Sequence, residues 1–320
     1  MKPKVSICMV TYNHEKYIRQ AIESVLMQKT NFDYELVIGE DCSTDRTKEI
    51  VLTYQKRYPN KIRTLINKRN MGAGSNFIQT LKTCKGEYIA VLDGDDYWIN
   101  SYKLQKQVDF LESHPGYSIS SHNVYVTQDG KNNPPIEWLG TRQKATLTLE
   151  DILEWGSGGA TCSLVFRCQS INPLPEWYYY LPGGDWALQI LCATQGKLYY
   201  FNEVMGVYQR GHPNNAHTIA TRKIRKEGKE TIGLSYKYTL DIVHKLDKHF
   251  QYRYSHFLKN QALYCYYNLA ICYKQNKKYA KAKRYAKMCL REFHWRHPYF
   301  SIKRIIDLMK IALLPLGRNE

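Results

Sequence analysis

No stretch of this chain is apolar for long enough to span a bilayer. Near the N-terminus the apolar stretch runs only from Val5 to Val10 before Asn13, His14 and Glu15 follow. That is too short for a secretory leader or a spanning helix. The nine cysteines contain no CxxC pair and no regular spacing. A cysteine-held metal is therefore disfavoured, and reduced, buried thiols in a cytoplasmic protein are expected. Zinc-finger and RNP signatures are missing as well, so nucleic acid is not an expected partner. Acids are scarce beside bases, 29 against 46, which leaves a formal charge of +17 and a pI near 9.3. Such an excess suits anionic partners, namely nucleotide phosphates or an acidic membrane surface. At 320 residues the chain can bury one large core, or one core and a smaller appendage.

What the chain does have is an alternation of short apolar runs with helical spacings. Val5 to Val10 reads as a buried strand, followed by the polar turn Thr11-Tyr12-Asn13-His14 and by Ile18, Ala21, Ile22, Val25 and Leu26 at helical spacing. Tyr34 to Ile38 repeats the strand pattern and ends in Gly39-Glu40-Asp41, with Ser43 or Thr44 placed to cap the next helix. Ile62 to Ile66 is a third strand, and a loop through Arg69, Gly72 and Gly74 leads to a helix on Phe77, Ile78 and Leu81. This order predicts an α/β fold with a mostly parallel, doubly wound sheet. Beyond Trp98 the spacing predicts a helix on Leu104, Val108 and Leu111. Strands are predicted over Ser118–Val126, Ala160–Phe166, Tyr199–Phe201 and Val204–Tyr208.

The most informative stretch is Tyr88-Ile89-Ala90-Val91-Leu92 followed by Asp93, Gly94, Asp95 and Asp96. Five apolar residues ending in acids read as a buried strand whose tip reaches solvent. Ligands of open α/β sheets bind beyond the carboxyl ends of such strands. In extended backbone Asp93 and Asp95 would leave the same face. Carboxylates so close repel one another unless a cation shares them, and a hard divalent ion is the usual answer. Asp185, at the start of a helix carrying Leu188, Leu191 and Cys192, sits where an acid commonly caps.

Taken in order, several segments resemble the family 2 glycosyltransferases, inverting enzymes with the GT-A fold. The resemblance covers roughly the first two-thirds of the chain. It is carried by Val5–Asn13 (VSICMVTYN), Glu40–Thr47 (EDCSTDRT), Asn70-Met71-Gly72, Lys85-Gly86-Glu87-Tyr88, Leu92–Trp98 (LDGDDYW), Gly184-Asp185-Trp186 and Tyr208–Asn215 (YQRGHPNN). It implies a nucleotide-sugar donor, in the first instance a UDP-sugar, held by Thr11, Asp41, Arg69 and Asp93. It also implies Mg²⁺ or Mn²⁺ held by Asp95 and His212, and Asp185 as the general base. Where the family often shows Glu-Asp this chain has Gly184-Asp185, and Gln209 lengthens the last segment by one residue. The implied acceptor is a saccharide or lipid-linked saccharide in cell-surface polysaccharide synthesis.

Two other readings compete. A phosphatase of the haloacid dehalogenase type also places DxD after an apolar strand, but it wants Thr or Val where Tyr97 stands. A non-catalytic nucleotide-binding protein is the other, with the C-terminal helices recruiting a partner. The expected division is 1–220, a GT-A catalytic domain, and 221–320, a basic, tyrosine-rich helical extension. In the latter, Tyr266, Leu269, Ala270, Tyr273, Tyr279 and Ala282 match one tetratricopeptide-like hairpin, with Lys277 at its tight turn. Ile302, Ile305, Ile306, Met309 and Leu313 form one helical stripe opposed by Lys303, Asp307 and Lys310. A basic amphipathic helix of this kind suits the anionic inner face of a membrane, making a peripheral location an expectation.

Overall fold

The structure, a computed structural model, describes residues 2–128, 131–137, 144–181, 184–210, 233–293 and 302–314. The chain folds into two compact units, Met1–Ile152 with Ser157–Ile219, and Leu153–Gly156 with Ala220–Glu320.

In the first unit the sheet is laid down by β1 (Val5–Thr11), β2 (Tyr34–Glu40), β3 (Ile62–Ile66) and β4 (Tyr88–Asp93), in the spatial order β3-β2-β1-β4, all parallel. Three helices alternate with them: α1 (Ile18–Leu26), α2 (Thr47–Arg57) and α3 (Ala73–Thr83). Alternate residues of the strands serve the two faces. Ile7, Met9, Leu36, Ile38, Ala90 and Leu92 join Ile18, Ile22 and Val25 of α1 in one core, whereas the Cys8 thiol on the other face points to the Phe77 carbonyl of α3. Strands buried on both faces read as near-continuous apolar runs, which is why these are legible as strands.

Past β4 the sheet becomes mixed. A short β5 (Tyr97–Trp98) precedes α4 (Lys103–Ser113) and the long β6 (Tyr117–Gln128); β7 (Lys131–Glu137) hangs off β6, and β8 (Thr146–Leu147) leads to α5 (Leu149–Trp155). β9 (Val165–Arg167) is inserted antiparallel between β4 and β6. The sequence suggests a strand from Ala160, but Thr161–Ser163 is a turn of 3₁₀ helix and only Val165–Arg167 pairs. After α6 (Asp185–Ala193), one strand, β10 (Lys197–Arg210), runs parallel to β6. It replaces the two short strands expected there, with register breaks between Phe201 and Gly206 absorbing the polar Asn202 and Glu203. Because β9 opposes both neighbours, β1, β2, β4, β6 and β10 all point the same way. Their carboxyl ends share one edge.

The second unit contains α7 (Leu234–His249), α8 (Ser255–Gln275), α9 (Tyr279–Glu292) and α10 (Ile302–Ala312). Leu263, Tyr266, Leu269, Ala270 and Tyr273 of α8 pack against Ala282, Ala286 and Cys289 of α9, with the Tyr273 and Tyr285 rings stacked at 5.6 Å. The hairpin turns at Lys277, which takes φ 57°, a left-handed conformation that usually favours glycine. The phase of α10 differs from the expected stripe. Ile305, Leu308 and Ile311 are buried, while Ile306, Met309 and Leu313 face solvent. Among the described residues no helix is long and apolar enough to cross a membrane. All nine cysteines are free, and five of them are buried.

Candidate active site

The shared sheet edge gathers the acids. β4 ends at Asp93, and the chain turns at once, the Asp96 amide donating to the Asp93 carbonyl at 3.0 Å. Asp95 is therefore on a turn, not in extended backbone, and the two-residue spacing that suggested a common face does not apply. The turn still produces the cluster, with one carboxylate oxygen each from Asp93, Asp95 and Asp96 lying within 4.8 Å of the others. It can be this tight because residue 94 is glycine: a Cβ there would fall 2.6 Å from Thr11 Oγ1 and 3.1 Å from His14 Nδ1.

Electrostatically the cluster is overloaded with negative charge. Burial, then the charges of Asp95 and Asp185, push the Asp93 carboxyl up to about 8. Burial, followed by Asp95 and Asp93, drives Asp96 well above the usual carboxylate range. One Asp96 oxygen accepts the Gln209 amide at 2.8 Å, which ties the turn to the end of β10, and the carboxyl also lies against the buried Cys162 thiol. Three carboxylates so gathered offer hard oxygen donors and an excess of negative charge, which fits a divalent cation of the Mg²⁺ or Mn²⁺ class. His14 faces the same pocket, its Nε2 3.8 Å from Asp95 Oδ2 and its Nδ1 3.3 Å from the Thr11 hydroxyl.

Thr11 ends β1 and is buried, with its carbonyl accepting from the Asp41 amide at 3.0 Å. Asp41 is buried too, and both its oxygens are engaged. Oδ1 accepts from Asn67 Nδ2 and the Met71 amide at 2.9 and 2.8 Å, and Oδ2 from the Gly72 amide at 2.8 Å. Its present work is to fold the loop of residues 67–72 back onto the β2 tip, with Gly72 at φ 87° closing the bend. Arg69 rides on that loop, exposed. The turn before α2 is capped by Asp45, whose carboxylate accepts the Thr47 amide at 2.9 Å; Ser43 instead accepts the Asn13 amide, and Thr44 donates to Asn13.

Asp185 opens α6 and is exposed. Thr161 donates its hydroxyl to Oδ2 at 3.0 Å, and the Trp186 amide donates to Oδ1 at 2.9 Å. The buried Tyr178 hydroxyl donates to the carbonyl of Gly184, the residue before Asp185, at 3.2 Å. The charge of Asp185 is felt at Asp93, Tyr178 and Tyr208, so Asp185 lies near the acid turn. Thr11, Asp41, Asp93, Asp95 and Asp185 are thus drawn from separate segments to one edge. His212 lies outside the described residues. Asp96, His14 and Thr161 are additions: Asp96 is visible in the sequence as a third acid, whereas no spacing there marks the other two.

The glycosyl transferase family 2 profile matches residues 6–170. An uncharacterized protein of Mycobacterium tuberculosis is 33% identical over 247 residues, covering 75% of this chain and 69% of its own length. Among solved structures, Staphylococcus aureus TarS 1–349 in complex with UDP-GlcNAc superposes with a TM-score of 0.54 at 18% identity, over 89% of this chain and 83% of that one. A mannosyltransferase from Pyrobaculum calidifontis, in complex with GDP-Man and Mn²⁺, gives 0.55 at 14% identity, over 98% and 86%. The sheet order, the acid turn at the tip of β4 and these likenesses agree on a GT-A fold, and the chain belongs to glycosyl transferase family 2.

Proposed function

We propose that this protein is a metal-dependent inverting glycosyltransferase that moves a sugar from a nucleoside-diphosphate sugar to a hydroxyl of a saccharide or lipid-linked saccharide. UDP is the favoured carrier. The observation that carries the reading is that Asp185 lies close enough to the Asp93–Asp96 turn for its charge to act on Asp93, while remaining exposed and sited on a different element. The acid turn would hold the donor diphosphate, and Asp185 would receive the acceptor.

Asp95, with its neighbours on the turn, would hold Mg²⁺ or Mn²⁺, which when bound stabilises negative charge on the departing nucleotide. Asp93 faces the ribose hydroxyls as acceptor. Asp41 has three donors on about four lone-pair sites, so one position on Oδ2 stays open for an N–H of the base. Uracil N3–H fits that position and cytosine offers no such donor. Arg69, on the loop that Asp41 holds, reaches toward phosphate as a fixed cation. Thr161 steadies Asp185 Oδ2 so that the carboxylate can take the acceptor's proton as its oxygen attacks the anomeric carbon. One displacement, with one base opposite the leaving group, inverts that carbon and needs no second carboxylate nucleophile. A lipid-linked acceptor in polysaccharide synthesis would put the reaction at a bilayer surface.

The test is a panel of nucleotide sugars assayed with Mn²⁺ and with Mg²⁺, reading released nucleoside diphosphate, for the wild type and two variants. Asp185→Asn should lower turnover by about 10² to 10⁴ with donor affinity unchanged. Asp95→Ala should lose both turnover and metal-dependent nucleotide binding. An active Asp185→Asn enzyme removes that residue as the base.

A further inference from the structure

Charge in this chain is unevenly shared. Residues 221–320 hold 23 lysines and arginines against seven acids, +16 of the total of +17, while residues 1–220 are close to neutral. Within the helical unit that charge is arranged rather than scattered. On α9, Arg284, Lys287 and Arg291 are exposed at i, i+3 and i+7, one face of the helix, and with Lys283, Ala280 and Met288 they line a single shallow hollow. The Lys283 ammonium donates to the Leu314 carbonyl at 3.1 Å, which places this cationic row beside the end of α10. There α10 presents a second row that its own core does not use. Ile306, Met309 and Leu313, again at i, i+3 and i+7, are 44%, 50% and 81% exposed. Asp307 is the only acid of α10.

We infer that the cationic row of α9 and the exposed apolar row of α10 together form a docking face for an anionic phospholipid surface. Neither row alone would be enough. Cations alone suit any polyanion, and an apolar row alone suits any apolar partner. A bilayer interface asks for both at once, with long basic side chains at headgroup level and apolar side chains between the acyl chains. A second copy of the chain is a poor occupant, because it would bring the same +16 against itself. Nucleic acid would leave Ile306, Met309 and Leu313 in water. The face is built from residues of the helical unit alone. The inference rests on the transferase reading only for its purpose, that of bringing the enzyme to a lipid-linked acceptor.

The experiment is co-sedimentation of the full-length protein with vesicles of phosphatidylcholine alone and of equal parts phosphatidylcholine and phosphatidylglycerol, without donor or acceptor. Binding is expected to the anionic vesicles only. Arg284→Glu/Lys287→Glu/Arg291→Glu should weaken it on the order of 100-fold or more. Ile306→Gln/Met309→Gln/Leu313→Gln should weaken it by about tenfold and leave a remainder that salt removes completely. Both sets change exposed side chains and should leave turnover on a short water-soluble acceptor unchanged. Vesicle binding that is missing, indifferent to lipid charge or untouched by either set overturns the inference. So does an apolar set that abolishes self-association rather than vesicle binding, or a charge set that abolishes only RNA binding. Vesicle binding without turnover on any donor would instead sink the transferase reading and leave the docking face standing.

Discussion

Three carboxylates whose oxygens lie within 4.8 Å cannot all be ionised without a cation among them. Asp93, held up to about 8 by burial, Asp95 and Asp185, keeps its proton in the cation-free native state far above the range where an unfolded aspartate loses it. Between an unfolded value of about 3.9 and that folded value, the native state therefore binds more protons than the unfolded chain. Stability of the cation-free protein should then fall as pH rises from about 4 to about 8, the reverse of the usual salt-bridged aspartate. Mn²⁺ affinity should climb through the same window, because ligation must first displace the proton. Thermal melts across that range, with Mn²⁺ and with chelator, check both halves. A cation-free midpoint that rises or stays flat would mean the acids do not repel as described. At this scale the sequence is most legible where chemistry is written in residue type, as in the run Asp93 to Asp96. It is least legible where a group acts through position, as His14 does 3.8 Å from Asp95 across the β1–β4 tips.

Among the elements, legibility follows burial on both faces. β1, β2 and β4 are buried at nearly every position and largely apolar, and their runs stand out in the chain. β9 is three residues long and β10 carries Asn202 and Glu203 in its middle, so neither shows a clean pattern. Glu203 is tolerated there because the bulge turns it to Asn100 and Lys106, both at 2.7 Å. The connection between β3 and α3 shows the same limit. Sequence marks Asp41 as a ligand-facing acid, yet in the fold it is also the clasp of the 67–72 loop, and no local pattern reveals a clasp 30 residues away from the Met71 amide it holds. Asp41→Ala removes three hydrogen bonds to a buried carboxylate, a loss of about 1.5–3 kcal/mol or more. Trypsin then has Lys68 and Arg69 on a loosened loop. Cleavage there should quicken by about tenfold or more relative to wild type, the rate following the population of the open loop. Unchanged digestion at those two sites would show that the loop is held by something other than Asp41.

For the molecule as a whole, the two units carry different burdens. The first holds a core running from Val5 through Trp98 to Val165 and all the acids of the candidate site, and the second holds its own core around Leu269, Tyr273 and Ala286. A unit with its own core can unfold on its own. Family membership speaks for the first unit, since the profile match ends at residue 170. The helical unit has to be read from charge and exposure alone. In the sequence its cations are visible only as composition; the bond from Lys283 to Leu314 is what sets them beside α10. If the donor site lies wholly in the first unit, ligand stabilises that unit and no other. Calorimetry should then resolve two transitions, with UDP and Mn²⁺ at about 100 times Kd adding about 2.7 kcal/mol to one of them. For a domain of this size that is about 5–10 °C in midpoint. Leu269→Ala, which opens a cavity in the helical core, should lower the other transition and leave the ligand-shifted one in place. A single transition that moves with both UDP and Leu269→Ala would instead mean that the two cores unfold as one, and that donor binding stabilises the helical unit as well.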